Sequence, residues 1–303
     1  MKEALPNGVD VGWGGTTSYK FLHEIFFAST AKMGVWHYPR RIGEGEVVDV
    51  RFKQYVPEGV SFSEWVNLLG ADVEFFEHAH LTHMLGRSFL FHCLQPPLSW
   101  KEKIPESAHF SREEQEILLL AAIVHDWGEL RVGDKPYPSK TPTDELEEIK
   151  AQEEVAGGRF SKSRDPILWG KIHQAFEIVN NRDSKLGRAF NVIEKLGYFR
   201  TGIIAWGKSR QTEREGRIEL SSRLQWLAAE VSANHLPKLL EYAEDYPAVF
   251  AYLTDMKFFI SDIFEQIPDS IFENYPRENR DSKMARFDEA KEGWFNFLES
   301  KGF

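Results

Sequence analysis

Eight consecutive apolar residues, Ile117 to Val124, are followed at once by His125 and Asp126. No other purely apolar run in the chain is as long. Ser111 and Glu114, just upstream, have the spacing of a capping box, so the run reads as a helix that is apolar nearly all round. Such a helix has no face suited to water and belongs in the middle of a domain. It falls well short of the ~20 apolar residues that a membrane span requires. The helix therefore delivers two ionisable side chains to the edge of its own core. Aspartate is rarely buried unless it is paired or bound to a metal. Imidazole and carboxylate together are good ligands for zinc, manganese, iron or cobalt. A helix end that simply reaches solvent, with Asp126 facing water, is the other reading of the same pair.

The rest of the composition narrows the class. The chain has 303 residues, enough for one large domain or two modest ones with a sizeable core. A net charge of −10 argues against a protein that coats nucleic acid. The one cysteine, Cys93, excludes an internal disulfide and a cysteine-rich zinc site. The first 30 residues lack a basic stretch followed by an apolar one, so no signal peptide is expected. The expectation is a soluble, cytoplasmic protein with no membrane partner.

Hydrophobic spacing predicts an all-α chain. Residues 1–60 are rich in glycine and aromatics, with a helix expected over Tyr19–Met33 and a short strand over Val47–Tyr55. Ser61 and Glu64 repeat the capping-box spacing before Trp65, Val66, Leu68 and Leu69. Leu81, Met84, Leu85, Phe89 and Leu90 mark a helix that stops before Pro96-Pro97. Beyond the buried helix, Gly128 to Pro142 reads as a loop. Helices follow over Asp144–Val155, ending at Gly157-Gly158, then Ile167–Asn180 behind Asp165-Pro166, and Leu186–Trp206. Leu220–Tyr242, Pro247–Gln266 and Ser282–Leu298 complete the series. The expected organisation is a helical domain over 61–210, an N-terminal extension over 1–60, and a helical C-terminal extension over 211–303 packed on the core.

The string from His125 runs His125-Asp126-Trp127-Gly128-Glu129-Leu130-Arg131-Val132-Gly133-Asp134-Lys135-Pro136, with Lys140 shortly after. It resembles the HD-domain metal-dependent phosphohydrolases. Within them it is most similar to the 5′-deoxynucleotidase branch, whose loop reads His-Asp-x-x-Glu-x-x-x-Gly-Asp-x-Pro. The resemblance covers roughly residues 75–205 and leaves 1–60 and 211–303 outside it. It implies an HD-type helical bundle holding one divalent metal ion, drawn from Mn, Co, Mg, Zn and Fe.

The resemblance also implies roles. The metal set is one histidine on an early helix, the His125-Asp126 pair and a distant carboxylate. His78, His80 and His83 compete for the first place. His83 is preferred because it heads an apolar stretch with His92 nine residues later, and His80 is next. His92 itself reads as a packed or capping histidine. The distant carboxylate corresponds to Glu194, where the family has Asp, and Asp183 is its nearest alternative, read more readily as a helix cap. Glu129 is implied as general acid/base beside a metal-bound water, and Asp134 as a residue that positions the water or substrate. Lys135 and Lys140 on the loop, Arg40 or Arg41 from the N-terminal extension, and Arg87 are the cations available to a phosphate. Trp127 and Tyr137 are available to stack on a base or sugar, or to pack.

The function implied by the resemblance is hydrolysis of a small phosphorylated substrate, a nucleoside 5′-monophosphate. A degenerate HD domain that binds a ligand or partner without turnover is the second reading. An HD-type di-iron oxygenase is disfavoured, because only His173 lies between the pair and the late carboxylate. The apolar stretch Phe258-Phe259-Ile260 is suited to a homodimer contact.

Overall fold

The computed structural model describes residues 40–42, 46–48, 58–69, 75–96, 100, 104–132, 141–159 and 166–303. Over these residues the chain is an all-α bundle. The one sheet among them is a small antiparallel hairpin of β1 (Arg40–Ile42) and β2 (Glu46–Val48), with Arg41 opposite Val47. β2 includes the first two residues of the strand expected over Val47–Tyr55, and residues 49–55 of that strand lie outside the described residues. The helix expected over Tyr19–Met33 lies outside the described residues.

The helices are α1 (Phe62–Leu69), α2 (Phe75–Leu94), α3 (Arg112–Val124), α4 (Glu129–Val132), α5 (Pro142–Arg159) and α6 (Pro166–Asn180). They continue as α7 (Lys185–Arg214), α8 (Ile218–Tyr242), α9 (Pro247–Asp255), α10 (Lys257–Gln266) and α11 (Arg277–Ser300). The two expected capping boxes differ. At α3, Ser111 Oγ accepts from the Glu114 N–H at 3.2 Å, and the Glu114 carboxylate accepts from the Ser111 N–H at 2.7 Å. At α1, Ser61 Oγ accepts from the Glu64 N–H, but the Glu64 carboxylate pairs instead with Arg217 at the start of α8. One half of the local motif has been exchanged for a long-range tie.

Several helix limits differ from expectation for local reasons. α5 begins at Pro142 because Thr141 and Asp144 cap it reciprocally: the Thr141 N–H reaches the Asp144 carboxylate at 2.9 Å, and the Asp144 N–H reaches Thr141 Oγ1 at 3.3 Å. It runs on through Gly157 and Gly158, since a helical glycine costs only ~1 kcal/mol. Ser184, not Asp183, caps α7, accepting from the Gly187 N–H at 3.0 Å. α7 continues two turns past Trp206, to Arg214. The single helix expected over Pro247–Gln266 breaks at Met256 into α9 and α10.

α3 is the central helix, with every residue from Ile117 to Val124 buried. α2 crosses it where Gly86 lies: a Cβ there would come 3.0 Å from Leu119 Cδ2 and 3.7 Å from Ile193 Cδ1 of α7. The missing side chain is what lets α2, α3 and α7 meet. α7 and α8 form a long helical hairpin, turned by Gly216 at φ +77°, a left-handed conformation that favours glycine. α7 passes residue 210 without a break, and one apolar cluster extends from Trp65 to Phe297.

Candidate metal centre

α3 ends at Val124, and beyond it the backbone bonds tighten. The Trp127 N–H reaches Val124 O at 3.1 Å, and the Glu129 N–H reaches Asp126 O at 3.1 Å. This tight turn keeps both ionisable side chains inside: His125 is 2% exposed and Asp126 6%. The turn fits because Gly128 has no side chain. A Cβ there would lie 2.5 Å from the Glu148 backbone oxygen of α5.

His78, in the first turn of α2, completes the group. Its Nε2 is 3.2 Å from His125 Nε2 and 3.5 Å from Asp126 Oδ2, and His125 Nε2 is 3.2 Å from the same oxygen. All three residues are buried. His125 Nδ1 faces Ala122 O at 3.1 Å. A carbonyl only accepts, so Nδ1 carries a proton and Nε2 of the neutral ring presents a lone pair to the cluster. Fixing the far ring nitrogen on a carbonyl is how metal-ligating histidines are oriented. Thr82, one turn after His78, donates its hydroxyl to His78 O at 2.9 Å, and the Phe190 ring of α7 packs edge-on against His125.

The residues fit a cation. Imidazole lone pairs and a carboxylate oxygen at van der Waals separation repel one another unless a proton or a metal lies among them. The three spacings average about 3.3 Å, and a tetrahedron of that edge has its centre ~2.0 Å from each corner, the usual length of zinc–nitrogen and zinc–oxygen bonds. The donor set, two imidazoles and one carboxylate, equally suits other first-row divalent metals.

The sequence-derived set is only partly brought together. His125 and Asp126 meet, but the histidine beside them is His78 and not His83. Five residues along a helix turn the side chain by about 140° and move it about 7.5 Å, and His83 contributes no atom to the group. His80 lies on α2, and His92 sits in its last turn with its ring against Phe91. Glu194 follows Phe190 by one turn of α7 and also contributes no atom to the group. Its carboxylate is 3.9 Å from Arg182. Asp183 is exposed in the turn before α7. Glu129 opens α4 in a partly buried position, three residues from Asp126, and Arg87 is partly buried on α2. Arg41 is in β1. Asp134, Lys135, Lys140 and Tyr137 lie outside the described residues. Trp127 is a packing residue, 2% exposed with its ring edge-on to Phe176.

The burial pattern of α2 singles out His78. The buried positions of α2 include 78, 82, 86, 89 and 93, a stripe at helical spacing. His78 continues the stripe defined by Phe89 and Cys93, whereas His83 steps off it. Cys93 on this stripe is chemically quiet: burial pushes its thiol up to about 12, against a smaller lowering from the Ala248 backbone.

Among the described residues no helix is long and apolar enough to cross a membrane. Compared with known proteins, the chain matches no family model, and no curated protein or solved structure is significantly similar to it.

Proposed function

We propose that this chain is an HD-type, metal-dependent phosphohydrolase acting on a small phosphorylated substrate, a nucleoside 5′-monophosphate. The observation that carries the reading is the buried convergence of His78, His125 and Asp126, with the His125 proton held on the Ala122 carbonyl. The loop that follows, with Glu129, Gly133, Asp134 and Pro136 at the spacing of the deoxynucleotidase branch, supports the choice of reaction. His78, His125 and Asp126 hold the metal. When bound, the cation supplies charge to a phosphate oxygen and makes a coordinated water acidic near neutrality. Glu129, tied through its N–H to Asp126 O, takes the proton of the attacking water. Asp134 positions that water, and Lys135, Lys140, Arg41 and Arg87 are the cations available to the phosphate. The reading is of a cytoplasmic enzyme that dimerises through Phe258 and Phe259, which are 77% and 52% exposed. Ile260, beside them, turns into the core.

The test is metal analysis of the purified protein together with phosphate release from nucleoside monophosphates in Mn²⁺, Co²⁺ and Mg²⁺. Bound metal with phosphate release is expected, and absence of both overturns the reading. The position of Glu194 beside Arg182, outside the ligand group, favours a second reading: a metal-binding domain without turnover. Stoichiometric metal with no hydrolysis of any phosphorylated substrate would select it.

A further inference from the structure

The carbonyl of His125 belongs to the peptide plane that joins the two adjacent ligand residues. As a last-turn carbonyl of α3 it lies among those that a helix cannot satisfy internally. Gln152 of α5 reaches it across the bundle, donating Nε2–H to His125 O at 2.8 Å, and Gln152 is 2% exposed. The Gln152 amide is itself oriented: its Oε1 accepts from Asn180 Nδ2 of α6 at 3.3 Å. α5 is held close by Gly128, whose absent Cβ would also lie 3.1 Å from Gln152 Cγ. A chain of hydrogen bonds thus runs from α6 through α5 to the peptide between His125 and Asp126.

We infer that Gln152 is a positioning residue of the metal centre, with Asn180 setting its orientation. Displacement of this carbonyl requires a change in ψ of His125 or φ of Asp126, and wherever the two changes do not cancel, the ligating side chains swing relative to His78. Pinning the carbonyl holds the three ligand atoms at their spacing without Gln152 touching them. This rests on the metal reading above. Two features separate the role from ordinary packing. The amide is presented to the backbone of a ligand residue and not to solvent, and its own acceptor is fixed from a third helix.

The experiment titrates Co²⁺ into the wild-type protein, Q152M and N180A, reading affinity by calorimetry and coordination by the visible absorption of the cobalt. Thermal unfolding of each metal-free protein is followed in parallel. Q152M keeps the length of the side chain and removes the donor; N180A removes only the bond that orients the amide, at an exposed position. Q152M is expected to bind Co²⁺ more weakly by about tenfold or more, with an altered cobalt spectrum, as for loss of an outer partner of a metal ligand. N180A is expected to shift affinity the same way by a smaller factor, about threefold, with its fold intact. N180A carries the test alone if Q152M does not fold. Wild-type affinity and spectrum in N180A, or in a folded Q152M, overturn the positioning role. Failure of the wild-type protein to bind Co²⁺ overturns the metal reading itself, and the positioning role with it.

Discussion

Two polar clusters of this bundle, one half-buried and one in the core, are built on opposite principles. In the C-terminal half, the Glu230 carboxylate of α8 accepts from Lys283 Nζ at 2.6 Å, from Asn234 Nδ2 at 2.8 Å and from the Tyr275 hydroxyl. One anion meets three hydrogen-bond donors, one of them charged, and the cluster is complete in itself. Around His125 the arrangement is reversed, with two imidazole nitrogens and a carboxylate oxygen turned towards one another within 3.5 Å. The first cluster ties α8 to α11. The second turns three atoms of metal-ligating type to one point, an arrangement that suits a cation. Polar clusters within one bundle therefore need no common explanation, and their make-up tells them apart.

The contrast is broken most directly at Asp126. D126N should abolish tight binding of a divalent metal, read by calorimetry, because a neutral amide replaces the only carboxylate in the group. In the wild-type protein, metal at 100 times its Kd should stabilise by ~2.7 kcal/mol, read as a raised Tm; in D126N the Tm should not respond. E129A should keep the metal and lose ~10²–10⁴-fold in phosphate release, the usual range for a lost general acid/base. Hydrolysis at the wild-type rate would remove Glu129 from its assigned role.

Glu230 should behave in the opposite sense. E230A should cost about 2 kcal/mol in denaturant unfolding, from charge-assisted bonds lost and Lys283 left without its partner. The cost should be the same with and without metal. A metal-dependent cost would mean that the two clusters are not independent.

His235 offers a third arrangement and a smaller effect. Burial, and then the charge of Lys195, lower its pKa to about 3, and its ring stacks on Tyr198 at 5.0 Å between centroids. It is therefore neutral in the fold. The unfolded histidine takes up a proton near its ordinary value of ~6.5, so between there and about 3 the unfolded state binds more protons. The contribution to stability is complete above ~6.5 and declines as the pH falls towards 3. H235F, which retains the stacking, should lose Tm less steeply than wild type over that window. Parallel profiles would remove His235 from the acid response. The smallest effect should come from E194A, which removes no atom of the ligand group and should leave Co²⁺ affinity nearly unchanged.

What the sequence made legible was whatever local chemistry determines. The Ser111–Glu114 box, the apolar run behind it and the His125-Asp126 pair at its end are all contiguous, and each is found in place. The partner on α2 was harder to read because three histidines within six residues share one helix, and only their rotation relative to the buried face separates His78 from His83. Glu64 shows the same limit: its spacing predicts a reciprocal cap, and a distant arginine takes the carboxylate instead. The reach of Gln152 to His125 spans 27 residues, and no local pattern announces it.

The lone cysteine gives the bundle an internal clock. Cys93 is 3% exposed, on the same face of α2 as His78, and its thiol is protonated far above neutral pH. The thiolate, the form that alkylating reagents attack, is favoured once the packing around Cys93 opens. Because the chain has one cysteine, every modified molecule reports that one event. The labelling rate at low reagent therefore measures the fraction of time that the packing around Cys93, on the helix that carries His78, stands open. A ligand bridging α2 to the end of α3 should slow that rate in proportion to its grip.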